Sequence, residues 1–175
     1  MLNFDASEFR AIDRALGNLP GEIRAKVMAR ALGRISQMAR TKAIKRAAER
    51  VDIRQTHVRE RTALAFNAGR ATIDVIVRSG WLPLYHLGAT QTASGVTVKL
   101  RGSYKSAFLA TMKSGHSGVM KRQGTERLPI RELFGPNPAS DIKNHEQIYL
   151  DALQELIETH LLPRVKHEIF RALPK

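Results

Sequence analysis

Apolar residues recur every three or four positions over residues 22–50, where Ile23, Val27, Ala31, Ile35 and Met38 or Ala39 form one stripe flanked by Met28 and Leu32. That period predicts a long amphipathic helix, entered after the break at Leu19-Pro20-Gly21. The same spacing in Phe4, Phe9, Ile12 and Leu16 predicts a short helix over residues 1–17, with Asp5 or Ser7 as its cap. Residues 52–64 read as a further short helix, burying Ile53 and either His57 or Val58 and ending by Asn67-Ala68-Gly69.

From there the period becomes two. Residues 71–78 set Ile73, Val75 and Val77 on one face, and residues 95–101 alternate Val96, Val98 and Leu100 with Thr97, Lys99 and Arg101. Residues 107–112 and 119–122 flank Ser114-Gly115-His116-Ser117-Gly118, whose glycines suit the turn of a hairpin. Residues 81–88 are apolar but broken by Pro83, as in an edge strand or an extended loop. The expectation is a central antiparallel sheet of about four strands, with the long helices covering one face.

Helical spacing returns after Ser140-Asp141, either of which suits a cap, through Ile148, Tyr149, Ala152, Leu153, Leu156, Ile157 and Leu161. Pro163 is expected to kink or restart this helix. Val165, Ile169, Phe170 and Leu173 then extend an apolar stripe that needs cover, from the protein's own sheet or from a neighbouring subunit. The fold class is therefore α+β, with long N-terminal and C-terminal helices, in one domain over residues 1–175. Its parts are a basic helical stretch (1–67), a β region (70–122), an apolar Gly/Pro loop (123–139) and a C-terminal helix (140–173).

The loop is unusual. Leu128, Pro129, Ile130, Leu133 and Phe134, closed by Gly135-Pro136, are too short and proline-rich for a core helix and too apolar for a solvated loop. Packing on this protein's own sheet and docking onto another chain both remain open for them.

Two phrases, GHSGVMKR at residues 115–122 and RLPIRELFGP at residues 127–136, resemble the minor tail protein Z family of lambda-like phages and prophages. The layout of basic helix, central β region and C-terminal helix is similar to that family across most of the chain. After Gly-Pro the family's pattern often continues with Ser-Val, whereas Asn137-Pro138 stand here. The resemblance implies a tail-completion protein, acting late to finish the head-proximal end of a long tail so that it joins a filled head. It implies the tail tube or tail terminator, the tape measure protein and the head connector as partners. It also implies assembly in the host cytoplasm, a final place in the virion tail, and a homo-oligomeric ring of about six copies with heterologous interfaces. On that reading Gly115, His116, Gly118, Leu128, Pro129, Ile130, Leu133, Phe134, Gly135 and Pro136 lie at or near an assembly interface.

Charge adds a second theme. The 175 residues carry 29 Lys and Arg against 16 Asp and Glu, a net charge of +13, which suits an acidic protein surface or nucleic acid. Arg24, Lys26, Arg30, Arg34, Arg40, Lys42, Lys45, Arg46 and Arg50 crowd the long helix beside only Glu22 and Glu49. This is either an ordinary solvated face or a contact with an acidic ring or DNA. Apolar content of 43% is enough for one substantial core. Without cysteine there are neither disulfides nor thiolate metal sites. Residues 1–20 lack a secretory pattern and no long apolar run occurs, so a soluble protein made inside the host cell, without membrane contact, is expected.

Catalytic motifs are wanting. Gly115-His116-Ser117-Gly118-Val119 approaches the G-x-S-x-G elbow, but Val119 replaces its last glycine and the setting is a hairpin. His160 and His167 stand about two helical turns apart with Pro163 between them, and H-E-x-x-H is absent. Asp74 falls in a strand pattern, while Glu146, Asp151, Glu155 and Glu158 punctuate a helix's polar side. Phosphate-loop fingerprints are missing, and the aromatics do not interleave with basic residues as in a base-stacking sheet. The expectation is a structural protein without enzymatic activity, metal or cofactor. The alternative is a nucleic-acid-binding protein whose helix 22–50 grips phosphates, although no helix-turn-helix or zinc-finger spacing accompanies it.

Overall fold

The computed structural model describes Arg14, Leu16, Gly17 and residues 19–67 and 72–172. The short helix expected over residues 1–17 lies outside the described residues except at those first three positions, and Leu173 also lies outside them.

Helix α1 spans Gly21–Arg50, with Pro20 at its cap and Glu22 in the first turn, where a carboxylate favours the positive end of the helix dipole. The expected stripe is the buried one: Val27, Ala31, Ile35 and Ala39 turn inward, with Ile44, Ala47 and Ala48 continuing it. A short helix α2, Gln55–Arg59, buries Val58. The chain then leaves the helix expected over residues 52–64. Thr62–Asn67 form strand β1, paired antiparallel with β2, Thr72–Val77, in the register Leu64↔Val75. The helix propensity of Ala63, Leu64 and Ala65 yields because cross-strand pairing and packing on α1 satisfy backbone and side chains together.

A single four-strand sheet does not form. The described strands make three separate sheets, the β1–β2 hairpin and two three-stranded sheets. Strands β3 (Ala89–Thr92), β4 (Gly95–Val98) and β5 (Gly102–Lys105) form one; β6 (Ala107–Thr111), β7 (Ser117–Arg122) and β8 (Ile130–Glu132) form the other. Ser106, at positive φ between β5 and β6, lies where the two three-stranded sheets part, and residues 78–88, which hold no strand, separate both from the β1–β2 hairpin. Inside the first sheet Gly95 closes on the Tyr104 carbonyl, and Leu100, also at positive φ, turns β4 into β5. Leu100 is thus a 68% exposed turn residue instead of a member of the Val96–Val98 face. The two small sheets share a core of Leu84, Val96, Val98, Ala107 and Val119, with Leu133 packed against it. Residues 84–87 are a 3-10 turn ended by left-handed Gly88, not an edge strand.

Helix α3, Pro138–Asn144, starts two residues earlier than Ser140, because the Asn137 side chain accepts the Ala139 amide at 3.2 Å and Pro138 occupies the first turn. Helix α4, Glu146–Ala172, runs through Pro163 without restarting. It lies antiparallel to α1: Leu156, Leu161 and Val165 meet Val27, Ala31, Leu32 and Ile35, while Tyr149 meets Ile44, Ala47 and Ala48. Beyond Pro163, Val165 and Ile169 join the cluster formed with α1, against which Ile73 of β2 also packs, whereas Phe170 is 82% exposed.

Asp141 fastens these helices. Its carboxylate accepts from Arg50 Nε at 2.8 Å and from the Tyr149 hydroxyl at 2.7 Å, and His145 Nδ1 lies 3.1 Å away. Burial pushes this carboxyl upward, but the hydrogen bonds from Arg50 and Tyr149 and the nearby positive charge outweigh it and hold Asp141 below its ordinary value. Burial and the Asp141 carboxylate push the Tyr149 hydroxyl upward. Arg101 joins the β4–β5 turn to the end of α1 by donating to the carbonyls of Val51 and Asp52.

Candidate functional site: an assembly surface

The two phrases that carry the family resemblance are joined in space. Residues 115–122 supply the turn and strand β7; residues 127–136 supply β8, which pairs with β7 in the register Met120↔Glu132 and Arg122↔Ile130. The Gln123 amide donates to Pro129 O at 3.0 Å and the Leu133 amide to Val119 O at 2.8 Å. Leu128-Pro129 is a cis peptide.

Several of the named residues hold the structure. Gly115, at φ +84°, makes the turn. Gly118 leaves room for Glu132: a Cβ there would stand 2.7 Å from Oε1. That vacancy lets Glu132 Oε2 meet His116 Nε2 at 3.0 Å. Gly135 is equally constrained, because a Cβ would stand 2.8 Å from Leu87 Cδ1, and its amide donates to Leu82 O at 2.6 Å. The Leu82 and Leu84 amides donate to the carbonyls of Pro136 and Leu133, both at 3.2 Å, so residues 133–136 are stitched to residues 82–84. Leu133 packs against the core, and both it and Ile130 are half-buried.

Other side chains of the loop are left outside. Leu128 is 67% exposed with its neighbour Pro129 also exposed, and Phe134, beyond β8, is 49% exposed. Phe134 bridges Pro83 across the stitched segment, and paired residues of an antiparallel bridge share a face. Alternation sends Leu82 and Leu84 inward, where both are buried, and leaves Trp81 62% exposed on the opposite side. Tyr85, in the following turn, is also exposed. An apolar strip of Trp81, Pro83 and Phe134 thus stands on a rigid backing. The ten interface candidates divide into supports (Gly115, His116, Gly118, Leu133, Gly135) and presented surface (Leu128, Pro129, Phe134), with Ile130 and Pro136 half-buried between them.

Sequence reasoning did not place Trp81, Tyr85 or Glu132 in this site. The lone Trp beside a proline-broken apolar run was a signal for the first two, and Glu132 stands inside the L-P-I-x-E-L-F-G-P phrase. Asn137, at the departure from the family's usual wording, has a structural role: its Oδ1 accepts the Gly80 amide at 3.3 Å, and its Nδ2 donates to Ser79 Oγ at 3.0 Å.

The basic face is sparser than the run of cations suggests. Arg40 turns to the Thr62 carbonyl at 3.0 Å, Lys42 pairs with Glu155 at 2.7 Å, and Arg50 serves Asp141. The Lys42 hydrogen bond and charge pull the Glu155 carboxyl below its ordinary value. Arg24, Lys26, Arg30, Arg34, Lys45 and Arg46 are exposed, with Lys45 3.9 Å from Glu49. Among the described residues no group of three or more His, Asp or Glu is placed to hold a metal ion, and no helix is long and apolar enough to cross a membrane.

A small α+β scaffold whose most distinctive residues are spent on holding an apolar strip outward has the design of a structural assembly component. The family model of the prophage minor tail protein Z matches residues 10–174, nearly the whole chain, and the chain belongs to that family of phage tail proteins. No curated protein and no solved structure gave a match.

Proposed function

We propose that this minor tail protein completes the head-proximal end of the tail and enables the tail to join a filled head, as an adhesive component without catalysis. The observation that carries this reading is the exposed apolar strip of Trp81, Pro83 and Phe134 on its hydrogen-bonded backing, with Leu128 and Pro129 exposed at the other end of β8. An exposed strip of this kind is costly in an isolated chain and suits a surface that becomes buried in an assembly.

The strip seats a neighbouring subunit in a homo-oligomeric ring of about six copies, matching the rotational symmetry of a tail tube. The ring meets the tail tube or tail terminator on one side and the head connector on the other, and acts in the virion tail after assembly in the host cytoplasm. The test is mass measurement by light scattering during size-exclusion chromatography, on the protein alone and mixed with its tail-tube protein. A discrete ring in either sample supports the reading. A strict monomer in both overturns the ring.

A further inference from the structure

Helices α1 and α4 leave an open trough of about 920 Å³ between them, lined by charged side chains together with Met38, Ile148 and Leu156, and a smaller cleft of about 280 Å³ adjoins it at Pro163. Arg34, Met38 and His160 line both, so the two are continuous. The ends of this channel differ in charge. Towards the start of α4 its walls carry Glu49, Asp151 and Glu155 beside the cations Lys42, Lys45 and Arg46, of which Lys42 pairs with Glu155 at 2.7 Å and Lys45 lies 3.9 Å from Glu49. Towards Pro163 the lining carries Arg34, His160, Arg164 and His167 and no carboxylate. Arg164 has Glu168 at 2.7 Å, which leaves Arg34 as the exposed cation of the cleft, with Arg30 exposed one turn earlier on α1.

We propose that this cleft binds the phosphodiester backbone of nucleic acid. Its chemistry separates a polyphosphate from an acidic protein. Protein interfaces are anchored by large apolar side chains in their centres, and none of the exposed large hydrophobic residues, from Ile76 to Phe170, lines the cleft or the trough. Guanidinium and imidazole groups are what phosphate contacts use, since such contacts need donors and positive charge and no apolar anchor. The reach also fits. His160 and His167 are separated by about 10 Å along a helix at 1.5 Å per residue, a length that two or three successive phosphates of one strand can span, because their spacing exceeds the axial rise of about 3.4 Å. The site therefore takes two or three phosphates, and the carboxylates at the far end of the trough confine them there.

The proposal is independent of the strip and of the ring, and its test reads binding alone. Fluorescence anisotropy of a short labelled DNA duplex is followed over increasing salt with nuclease-treated full-length protein. The logarithmic salt slope is expected to be about −2 to −3, at roughly −0.9 per phosphate neutralised. Arg30→Glu with Arg34→Glu should weaken binding more than about tenfold at low salt and flatten that slope. Lys105→Glu with Lys113→Glu makes the same change in net charge at exposed sites in the β region, and should weaken binding less than about threefold. Unchanged circular dichroism spectra establish that both variants fold. Equal losses in the two variants overturn the site, because binding would then follow net charge alone. Equal competition by poly-glutamate overturns the phosphodiester in favour of an acidic protein. Absence of binding at low salt overturns the proposal outright.

Discussion

Phe134 and Leu133 are neighbours in sequence that differ in what they pack against, and replacing each by serine separates assembly from stability. Leu133 packs against the core of the two small sheets, whereas Phe134 is 49% exposed. Truncating a packed leucine costs about 2–5 kcal/mol through lost transfer energy and the cavity left behind, and a hydroxyl without a partner adds to that. Leu133→Ser should therefore lower the unfolding midpoint by roughly 4 °C or more, at about 2–4 °C per kcal/mol for a chain of this size. Full burial of a phenylalanine contributes about 1.5–3 kcal/mol, so the buried half of Phe134 accounts for roughly 1 kcal/mol of folding energy. Its exposed half holds a similar amount for an interface. Leu128, 67% exposed, holds rather more outside the fold than within it. Leu128→Ser with Phe134→Ser should cost about 2 kcal/mol per interface, close to a thirtyfold weakening of association. Thermal unfolding by circular dichroism and mass by light scattering read the two quantities separately. If the Leu128/Phe134 double variant unfolds as readily as Leu133→Ser while association is unchanged, the strip is core and the reasoning fails.

Three further outcomes follow from the geometry. Asp141 has a folded pKa below its ordinary value of 3.8, so its contribution is present above about pH 4 and lost as pH falls through the folded value. Asp141→Asn should lower stability at neutral pH and flatten the acid limb below about pH 4, measured by denaturant unfolding across pH; an unchanged acid limb would exclude the Arg50–Asp141–Tyr149 link as its source. Gly95→Ala places a Cβ against the Tyr104 backbone carbonyl, which has no side-chain torsion to give way, and should destabilise by at least about 3 kcal/mol; a wild-type melting temperature would contradict the turn. Gly118→Ala pushes on the movable Glu132 carboxylate, so its cost should shrink by about 0.5–3 kcal/mol when Glu132→Ala is also present; strict additivity in that double-mutant cycle would refute the packing of His116, Gly118 and Glu132.

The long-period elements were legible because one signal sufficed. The apolar stripes of α1 and α4 face each other along most of their length, and the Gly115–Gly118 turn matches the observed β6–β7 hairpin. What escaped is short or depends on distant partners. Strand β8 is three residues beside a proline, and only pairing with β7 makes it a strand. Residues 62–65 carry helix-favouring Ala and Leu, and only the hairpin partner at residues 72–77 overrides them. The boundary between the two three-stranded sheets falls at Ser106, an ordinary residue at positive φ, and Leu100, equally ordinary, is turned out of its strand in the same way. At the candidate site the motif residues were visible, but their division into supports and presented surface was not. That division depends on which side of Pro83 and Leu82 each residue falls, a fact of tertiary pairing.

The most direct test of the central claim is electron microscopy of lysates from induced cells in which this chain is wild type, deleted, or carries Leu128→Ser with Phe134→Ser. The account predicts joined, infectious particles for the wild type only, and filled heads apart from full-length tails for the deletion and the strip variant. Joined infectious particles from the deletion would contradict the role in head–tail joining, and joined particles from a folded strip variant would contradict the strip as the surface that performs it.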